Sequence, residues 1–177
     1  MDSFLVWLQN LPLPLWVAES DSIWGYAFLL FVHAIGMGLT AGLAFVVSLR
    51  LLGVGTAIPV SSLRPLFRLF WIGFALNLVS GGILFATNAT GHAHVIMMYV
   101  KLLLLAFGLV ATVRLRAFVD GSASDAPEVP SGVRTLAVVC IAVWLGVIVA
   151  GRMIAYAVES AGASLAPAAP AHMASLR

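Results

Sequence analysis

The sequence has 177 residues, of which 62% are hydrophobic and only 9% are charged, and its mean hydropathy is +1.09. This balance excludes a soluble globular domain and is typical of integral membrane proteins. The formal net charge of +2 comes mostly from arginines at the edges of apolar runs, which is a signal of membrane orientation and does not indicate nucleic-acid binding.

The chain begins with a short amphipathic stretch, residues 3–18, which predicts a helix lying in the membrane interface. Trp7 and Trp16 suit the level of the lipid headgroups, where indole rings are enriched. Pro12 and Pro14 interrupt the apolar stretch too early for it to span a bilayer.

Four later runs are long and apolar enough to cross a membrane as helices, since about 20 residues cover the hydrocarbon core. They occupy residues 23–49, 66–87, 95–115 and 133–158, each bounded by glycine, proline or charge. The sequence therefore predicts an all-α fold, in which residues 1–160 form one integral membrane four-helix bundle. An Ala/Pro-rich tail, residues 161–177, is expected to be disordered, and residues 120–131 to form a solvated linker.

The distribution of arginine predicts the orientation of the bundle. The N-terminal segment carries only acidic charges, and the second connection carries no fixed charge. The first and third connections are flanked by Arg50, Arg64, Arg68, Arg114, Arg116 and Arg134. The positive-inside rule then places both termini in the periplasm of a bacterial inner membrane.

A histidine lies within the first predicted span. Between residues 23 and 49, His33 is the only ionisable side chain other than Tyr26, and small residues cluster between positions 36 and 42. A polar ring is costly in lipid, so we expect His33 to face other helices or a bound group. The glycines let a neighbouring backbone approach closely.

Other cationic and imidazole side chains are predicted at a similar depth. By helical rise, His33 lies ~13 Å below the outer membrane boundary, Lys101 ~9 Å and Arg152 ~6–9 Å, on three different helices. His92 and His94 fall at the outer mouth of the bundle. Lysine and arginine can reach water with their long side chains, but a histidine at this depth cannot.

One interpretation of this arrangement is a b-type haem, which needs an axial imidazole, an apolar slot and cations for its propionates. His33 would be one axial ligand, with Gly36 and Gly38 making room for the ring. Lys101 and Arg152 would hold propionates that point towards the periplasm.

The sequence leaves open which residue would be the second axial ligand and which group is bound. His94, Met97 or Met98 could supply the other axial position of a haem. Alternatively, the i, i+4 pairs His33/Met37 and His94/Met98 suit Cu(I), which imidazole and thioether ligands bind well, so that His33, His94 and Met98 become metal ligands. A quinone, lipid or substrate pocket is a further alternative.

A cofactor-free interpretation competes with these. His33 would then hydrogen-bond a hydroxyl, amide or carbonyl on a neighbouring helix, and the chain would be an accessory subunit that stabilises partner proteins. Asn77 and Ser80, beside Gly81-Gly82, are typical of contacts between membrane helices. No hydrolase, zinc-protease or phosphate-loop motif occurs, so the sequence favours a protein without catalytic activity of its own.

Four segments carry a family resemblance: H-A-I-G-M-G at 33–38, S-L-R-L-L-G at 48–53, W-I-G-F at 71–74 and K-L-L-L-L at 101–105. With these, residues 24–116 resemble small bacterial four-helix inner-membrane proteins of unassigned function. More remotely, they are similar to the membrane domains of copper-resistance D-type proteins and to b-type four-helix cytochromes. The cytochrome resemblance implies a haem-binding electron-transfer or anchor subunit that serves other membrane or periplasmic subunits. Such bundles usually carry paired histidines for two haems, whereas only His33 lies inside here, so one haem is implied.

Overall fold

The computed structural model describes residues 2–122 and 128–165 of the chain, with side chains described up to residue 158. The predicted all-α class is confirmed: the described residues form helices and no strand. The helices, in chain order, are α1 Asp2–Gln9, α2 Pro12–Glu19, α3 Tyr26–Leu51, α4 Leu66–Thr87, α5 Ala89–Ala93, α6 Ile96–Gly121 and α7 Ser131–Leu165, with a 3-10 turn at Val60–Leu63 before α4.

Four of these helices, α3, α4, α6 and α7, are long and apolar enough to cross a membrane. The chain is therefore a multi-pass membrane protein, as its composition predicts. Three helices continue beyond their predicted ends, α3 to Leu51, α6 to Gly121 and α7 to Leu165. Arginine ends an apolar run but is a good helix former, so α6 passes through Arg114 and Arg116 unbroken.

The longer helices change the predicted loop and tail. The first five residues of the predicted tail, 161–165, belong to α7, and residues 166–177 lie outside the described residues. Of the predicted linker, residues 120 and 121 belong to α6, residue 131 begins α7, and residues 123–127 lie outside the described residues.

The N-terminal segment forms two short helices where the sequence predicts one. The first helix ends at Gln9. Pro12 begins α2 at the first helical position, where its missing N–H leaves no hydrogen bond unmade. Trp7 and Trp16 are exposed, which suits the expected membrane interface. The side chain of Thr90 in α5 donates a hydrogen bond of 3.1 Å to Gln9 Oε1, which ties α1 to the end of the bundle.

The membrane helices pack as two hairpins, α3 with α4 and α6 with α7, and α3 also packs against α7. The closest approach is between α3 and α4, where two glycines face the opposite backbone. A Cβ built on Gly36 would lie 2.8 Å from the Asn77 nitrogen, and one on Gly73 would lie 2.5 Å from Leu39 Cβ. Side chains larger than hydrogen are excluded at both positions, as at other close helix crossings in membranes.

The core of the bundle is concentrated in the half nearest the arginines, which we call the arginine-rich end. Residues 41–51 of α3 meet residues 111–119 of α6 and 137–147 of α7 there. The rings of Phe70 and Trp144 meet edge to face with centroids 5.9 Å apart, and both side chains are almost completely buried. The opposite half of the bundle lacks such filling, and cavities of about 300 and 460 Å³ lie there.

A buried polar contact joins α6 and α7 within this core. Thr112 donates its hydroxyl proton to the Gly108 carbonyl at 2.8 Å and accepts the indole N–H of Trp144 at 3.1 Å. Cys140 Sγ lies 3.6 Å from the same hydroxyl. The hydroxyl therefore satisfies the one polar atom of the Trp144 ring, which has no access to water.

We expect Thr112→Val to destabilise the protein by about 1–3 kcal/mol, because it leaves the buried indole N–H of Trp144 without an acceptor. Thr112→Ser keeps the acceptor and loses only a methyl group, so its cost should be smaller. The comparison is a denaturation series in detergent, followed by far-UV circular dichroism. Equal stability of Thr112→Val and wild type would contradict the role assigned to this hydrogen bond.

Candidate functional site

A cavity of about 300 Å³ lies between α3, α4 and α6, in the half of the bundle away from the arginines. We call it the lateral cavity. Four of its lining residues offer polar or sulfur atoms, and the others are apolar or glycine. The first group is His33, Asn77, Met98 and Lys101. The second group is Phe74, Leu78, Gly81, Gly82, Phe85, Leu102 and Leu105.

A second cavity, of about 460 Å³, lies at the end of the bundle opposite the arginine-rich end, between the last turns of the membrane helices there and α5. We call it the end cavity. His33, Met98 and Lys101 line both cavities, so the two meet at these side chains. Each volume is within the range of small-molecule and cofactor sites, and mostly apolar walls with a few convergent polar groups are typical of such sites.

The lateral cavity opens between α4 and α6 on the side of the bundle. Its lining includes Leu78 of α4 and Leu102 of α6, which are 60% and 54% exposed on the bundle surface. Leucine at the surface of a membrane helix faces acyl chains. The cavity can therefore be reached sideways from the bilayer.

Hydrogen bonding fixes the ring of His33 and its tautomer. Ser80 Oγ lies 2.6 Å from the Leu76 carbonyl, which can only accept, so the hydroxyl proton is used there. At 3.0 Å from His33 Nδ1, the same oxygen must then accept a proton from the ring. We infer that Nδ1 carries the hydrogen and that Nε2 keeps its lone pair. This arrangement, with one nitrogen bonded to protein and the other left basic, is the usual state of a histidine that binds a metal.

Gly81 provides the space for this ring. A Cβ built on Gly81 would lie 2.9 Å from His33 Cε1 and 3.3 Å from His33 Nδ1. The sequence interpretation treats Ser80 and Gly81 as general helix contacts, and the structure shows that both hold His33. The sequence signal is a hydroxyl followed directly by two glycines on the helix that faces the histidine.

Replacing Gly81 with alanine is expected to push the imidazole away from Ser80 and to weaken any ligand held by His33 by about 10–100-fold, as loss of an orienting partner does at metal sites. Gly38→Ala is the matched control, because a Cβ there meets nothing within 4 Å and Gly38 lines neither cavity. Chemical shifts of the imidazole ¹⁵N nuclei in the two variants measure the ring environment directly. Identical spectra would contradict the close contact between Gly81 and His33.

Met98 and Lys101 approach the cavity from α6. They are three residues apart, so both lie on one face of the helix. The Lys101 ammonium reaches towards α7, where a Cβ on Gly151 would lie 3.5 Å from Nζ. Among the described residues the single ion pair is Arg116–Asp120, so Lys101 has no carboxylate partner there. Lys101 therefore presents to the cavity an amino group that has no carboxylate partner among the described residues.

Two of the predicted site residues lie elsewhere. The His94 side chain is exposed, its Nδ1 lies 2.6 Å from the Thr90 carbonyl, and it lines neither cavity. Arg152 is also exposed and lines neither cavity, and its guanidinium carbon lies 5.4 Å from the Tyr156 ring centroid. The structure thus brings His33, Met98 and Lys101 together, and it leaves His94 and Arg152 apart from them.

The predicted role of the glycines also changes. Gly36 is buried against the backbone of α4 at Asn77 and Gly73, so it closes a helix contact and leaves no room for a ring. A Cβ on Gly38 would meet nothing within 4 Å. Met37 accepts a weak hydrogen bond of 3.6 Å from Asn77 Nδ2, which turns it towards α4.

Within residues 2–122 and 128–158, no group of three or more His, Cys, Asp or Glu side chains could hold a metal ion. A site for a bound metal would therefore have to use His33 with a thioether or with ligands that the bound group itself brings. Comparison with known proteins gives no match to any family model, curated protein or solved structure. The chain is defined by its structure as an all-α, multi-pass membrane protein with an imidazole-lined cavity between its helices.

Proposed function

We propose that the chain is a membrane-embedded haem b-binding subunit, in which His33 Nε2 is an axial ligand. The observation that carries this proposal is the hydrogen-bond chain from the Leu76 carbonyl through Ser80 to His33 Nδ1. It leaves Nε2 with a free lone pair on a ring that lines two cavities. The bond to Ser80 is also what the cofactor-free interpretation expects, so the support for a ligand comes from the second nitrogen and the space around the ring.

The residues around the cavity suit a single haem. Phe74, Phe85 and Leu105 offer apolar walls for a macrocycle. Met98, which lines the same cavity from the facing helix, is the candidate for the second axial position, and histidine–methionine ligation is used by electron-transfer haems. Lys101 is the cation nearest to His33 for a propionate. A haem bound in this way would supply one-electron chemistry.

In this proposal the protein is an electron-transfer or anchor subunit of a larger complex, with other membrane or periplasmic subunits as partners. The arginine distribution supports a bacterial inner-membrane location with the end cavity on the periplasmic side. His94 and Arg152 have no part in the site, because neither lines a cavity. Met98 is therefore the candidate for the second axial position, in place of His94, and Lys101 is the candidate for the propionate, in place of Arg152.

The lateral opening favours a second candidate, a lipid-soluble ligand with a polar head such as a quinone. Leu78 and Leu102 form a passage from acyl chains to His33 and Lys101. A ring oxygen could then accept a hydrogen bond from the Lys101 ammonium, while the His33 lone pair accepts one from a hydroxyl. This candidate needs no metal.

One preparation separates the candidates. The protein is extracted from bacterial membranes in mild detergent, and oxidised and dithionite-reduced visible spectra are recorded with metal analysis and mass spectrometry of an organic extract. Haem predicts a Soret band and about one iron per chain. A colourless protein with a bound quinone would favour the second candidate, and stoichiometric copper would favour a His33–Met98 copper site. A colourless, metal-free and ligand-free protein with intact helicity would overturn the proposal and leave a cofactor-free accessory subunit.

A further inference from the structure

A separate cavity, of about 180 Å³, lies at the arginine-rich end of the bundle. It is formed where α3 ends, where α7 begins and where residues 128–129 approach α7. Arg50, Thr56, Glu128 and Arg134 contribute its polar lining. The proposed function makes no use of this cavity, since it is at the end opposite to His33.

Arg50 is the unusual residue of this cavity. Its side chain is only 7% exposed, although it carries a full charge. Nε donates to the Ile58 carbonyl at 2.6 Å and Nη2 to the Thr56 carbonyl at 3.3 Å. These bonds fold the loop after α3 around the guanidinium through its Nε and Nη2.

The charge of Arg50 has no anionic partner among the residues that the structure describes. The single ion pair within 4 Å in this part of the chain is Arg116–Asp120, on another face. Carbonyl oxygens satisfy some of the N–H groups but do not neutralise the charge, and buried arginine is rarely found without a counter-charge. Within the described residues the charge of Arg50 is therefore uncompensated, and the cavity beside it can accept an anion.

The other charged residues of the cavity define which anion fits. Arg134 lies at the first turn of α7 with its side chain exposed, and Glu128 is also exposed at the rim. Two guanidinium charges and one carboxylate leave a net charge of +1. A phosphate group with one negative charge matches this value, and the planar guanidinium fork binds phosphate oxygens in a bidentate way.

We propose that Arg50 and Arg134 form a binding site for a phosphate oxyanion, supplied by the headgroup of an anionic phospholipid or by free phosphate. Both residues lie at the ends of membrane spans, Tyr26–Leu51 and Ser131–Val158, and so are at headgroup level. Basic pockets between helices at a membrane edge are suited to anionic headgroups. A headgroup bound here would join the end of α3 to the start of α7.

The test uses the full chain in nanodiscs of phosphatidylcholine with an increasing fraction of phosphatidylglycerol, and native mass spectrometry counts retained lipids. Arg134→Gln is the main variant, because Arg50 also holds the loop after α3 and its loss could unfold that loop. Arg114→Gln is the matched control: it removes an exposed arginine near the same end that does not line the cavity. A second arm adds inorganic phosphate to protein in pure phosphatidylcholine and records the melting temperature.

We expect Arg134→Gln to weaken retention of phosphatidylglycerol by about five-fold, the effect of one basic side chain near an anionic membrane surface, while Arg114→Gln has a smaller effect. Loss of retained phosphatidylglycerol in Arg134→Gln, but not in Arg114→Gln, would identify the lipid headgroup as the source of the phosphate. A phosphate-dependent melting shift that only Arg134→Gln abolishes would identify free phosphate. The same response of wild type, Arg134→Gln and Arg114→Gln in both arms would overturn the proposal.

Discussion

Substitution of His33 by alanine is expected to remove bound haem from the purified protein, so that the Soret absorbance per chain falls by at least about ten-fold. The reason is that His33 is the only imidazole on a membrane-spanning helix in the described chain, and Ser80 holds its ring with Nε2 free. Losing an axial ligand removes the strongest single bond between protein and iron. Absorbance is measured against protein concentration from amino-acid analysis, with circular dichroism to show that helicity is retained.

His94→Ala is the matched control for this experiment. It makes the same chemical change at an exposed histidine that lines neither cavity, and its spectrum should equal that of wild type. Loss of the Soret band in His94→Ala, with retention in His33→Ala, would contradict the assignment of the ligand. Met98→Leu should keep the haem but change its spectrum towards a single-histidine form, because leucine preserves volume and removes the thioether.

Substitution of Gly36 by valine is expected to destabilise the bundle by about 3 kcal/mol or more, at the upper end of the cost of overpacking. A Cβ at this position would lie 2.8 Å from the Asn77 nitrogen and 3.0 Å from the Gly73 carbonyl oxygen. Both atoms belong to the backbone of α4, so no side-chain rotation can relieve the contact, and the helices must separate. The measurement is the melting temperature in detergent, with the fraction of protein lost to aggregation as a second readout.

Gly38→Val provides the control for this substitution. It adds the same side chain two residues further along α3, where a Cβ would meet nothing within 4 Å. We expect the melting temperature of Gly38→Val to stay near that of wild type, because β-branched residues are well tolerated on lipid-facing helix surfaces. Equal destabilisation by both variants would indicate a general effect of lost glycine flexibility and would contradict the close crossing of α3 and α4.

The Gly36 contact also affects the site. His33 is one turn from Gly36 on α3, and Ser80 is one turn from Asn77 on α4, so the same helix pair carries the glycine crossing and the imidazole–hydroxyl bond. If valine separates the helices by even 1 Å, the 3.0 Å bond between His33 and Ser80 is lengthened beyond hydrogen-bond range. We therefore expect Gly36→Val to weaken ligand binding as well as stability, whereas Gly81→Ala should act mainly on the site.

The bundle divides into a filled half and an open half. At the arginine-rich end, Phe70 and Trp144 fill the space between α4 and α7. At the other end, α4 and α6 have no comparable side chains between them, and the lateral cavity takes that space. Burial of large aromatic side chains stabilises one end, so the other end can keep a cavity for a ligand without losing the fold.

The sequence alone determined the class of this protein and the course of its chain. Four apolar runs of 20 or more residues are not stable when they are exposed to water. In lipid they form helices, since a single segment can make all of its backbone hydrogen bonds there only as a helix. The start and end of α4 match the predicted residues 66–87, because proline precedes the helix and Asn88 follows it. The sequence also identifies His33 as the central residue, because burying a polar imidazole in lipid costs free energy unless the ring has a partner.

Only the tertiary structure decided which residues share the site with His33. Depth along a helix can be counted from the sequence, but the direction of a side chain depends on how the helices rotate and cross. The sequence predicts similar depths for Lys101 and Arg152, yet Lys101 lines both cavities and Arg152 lines neither. The role of Gly36 and the support of His33 by Ser80 and Gly81 likewise depend on the close crossing of α3 and α4, a packing fact that no single helix contains.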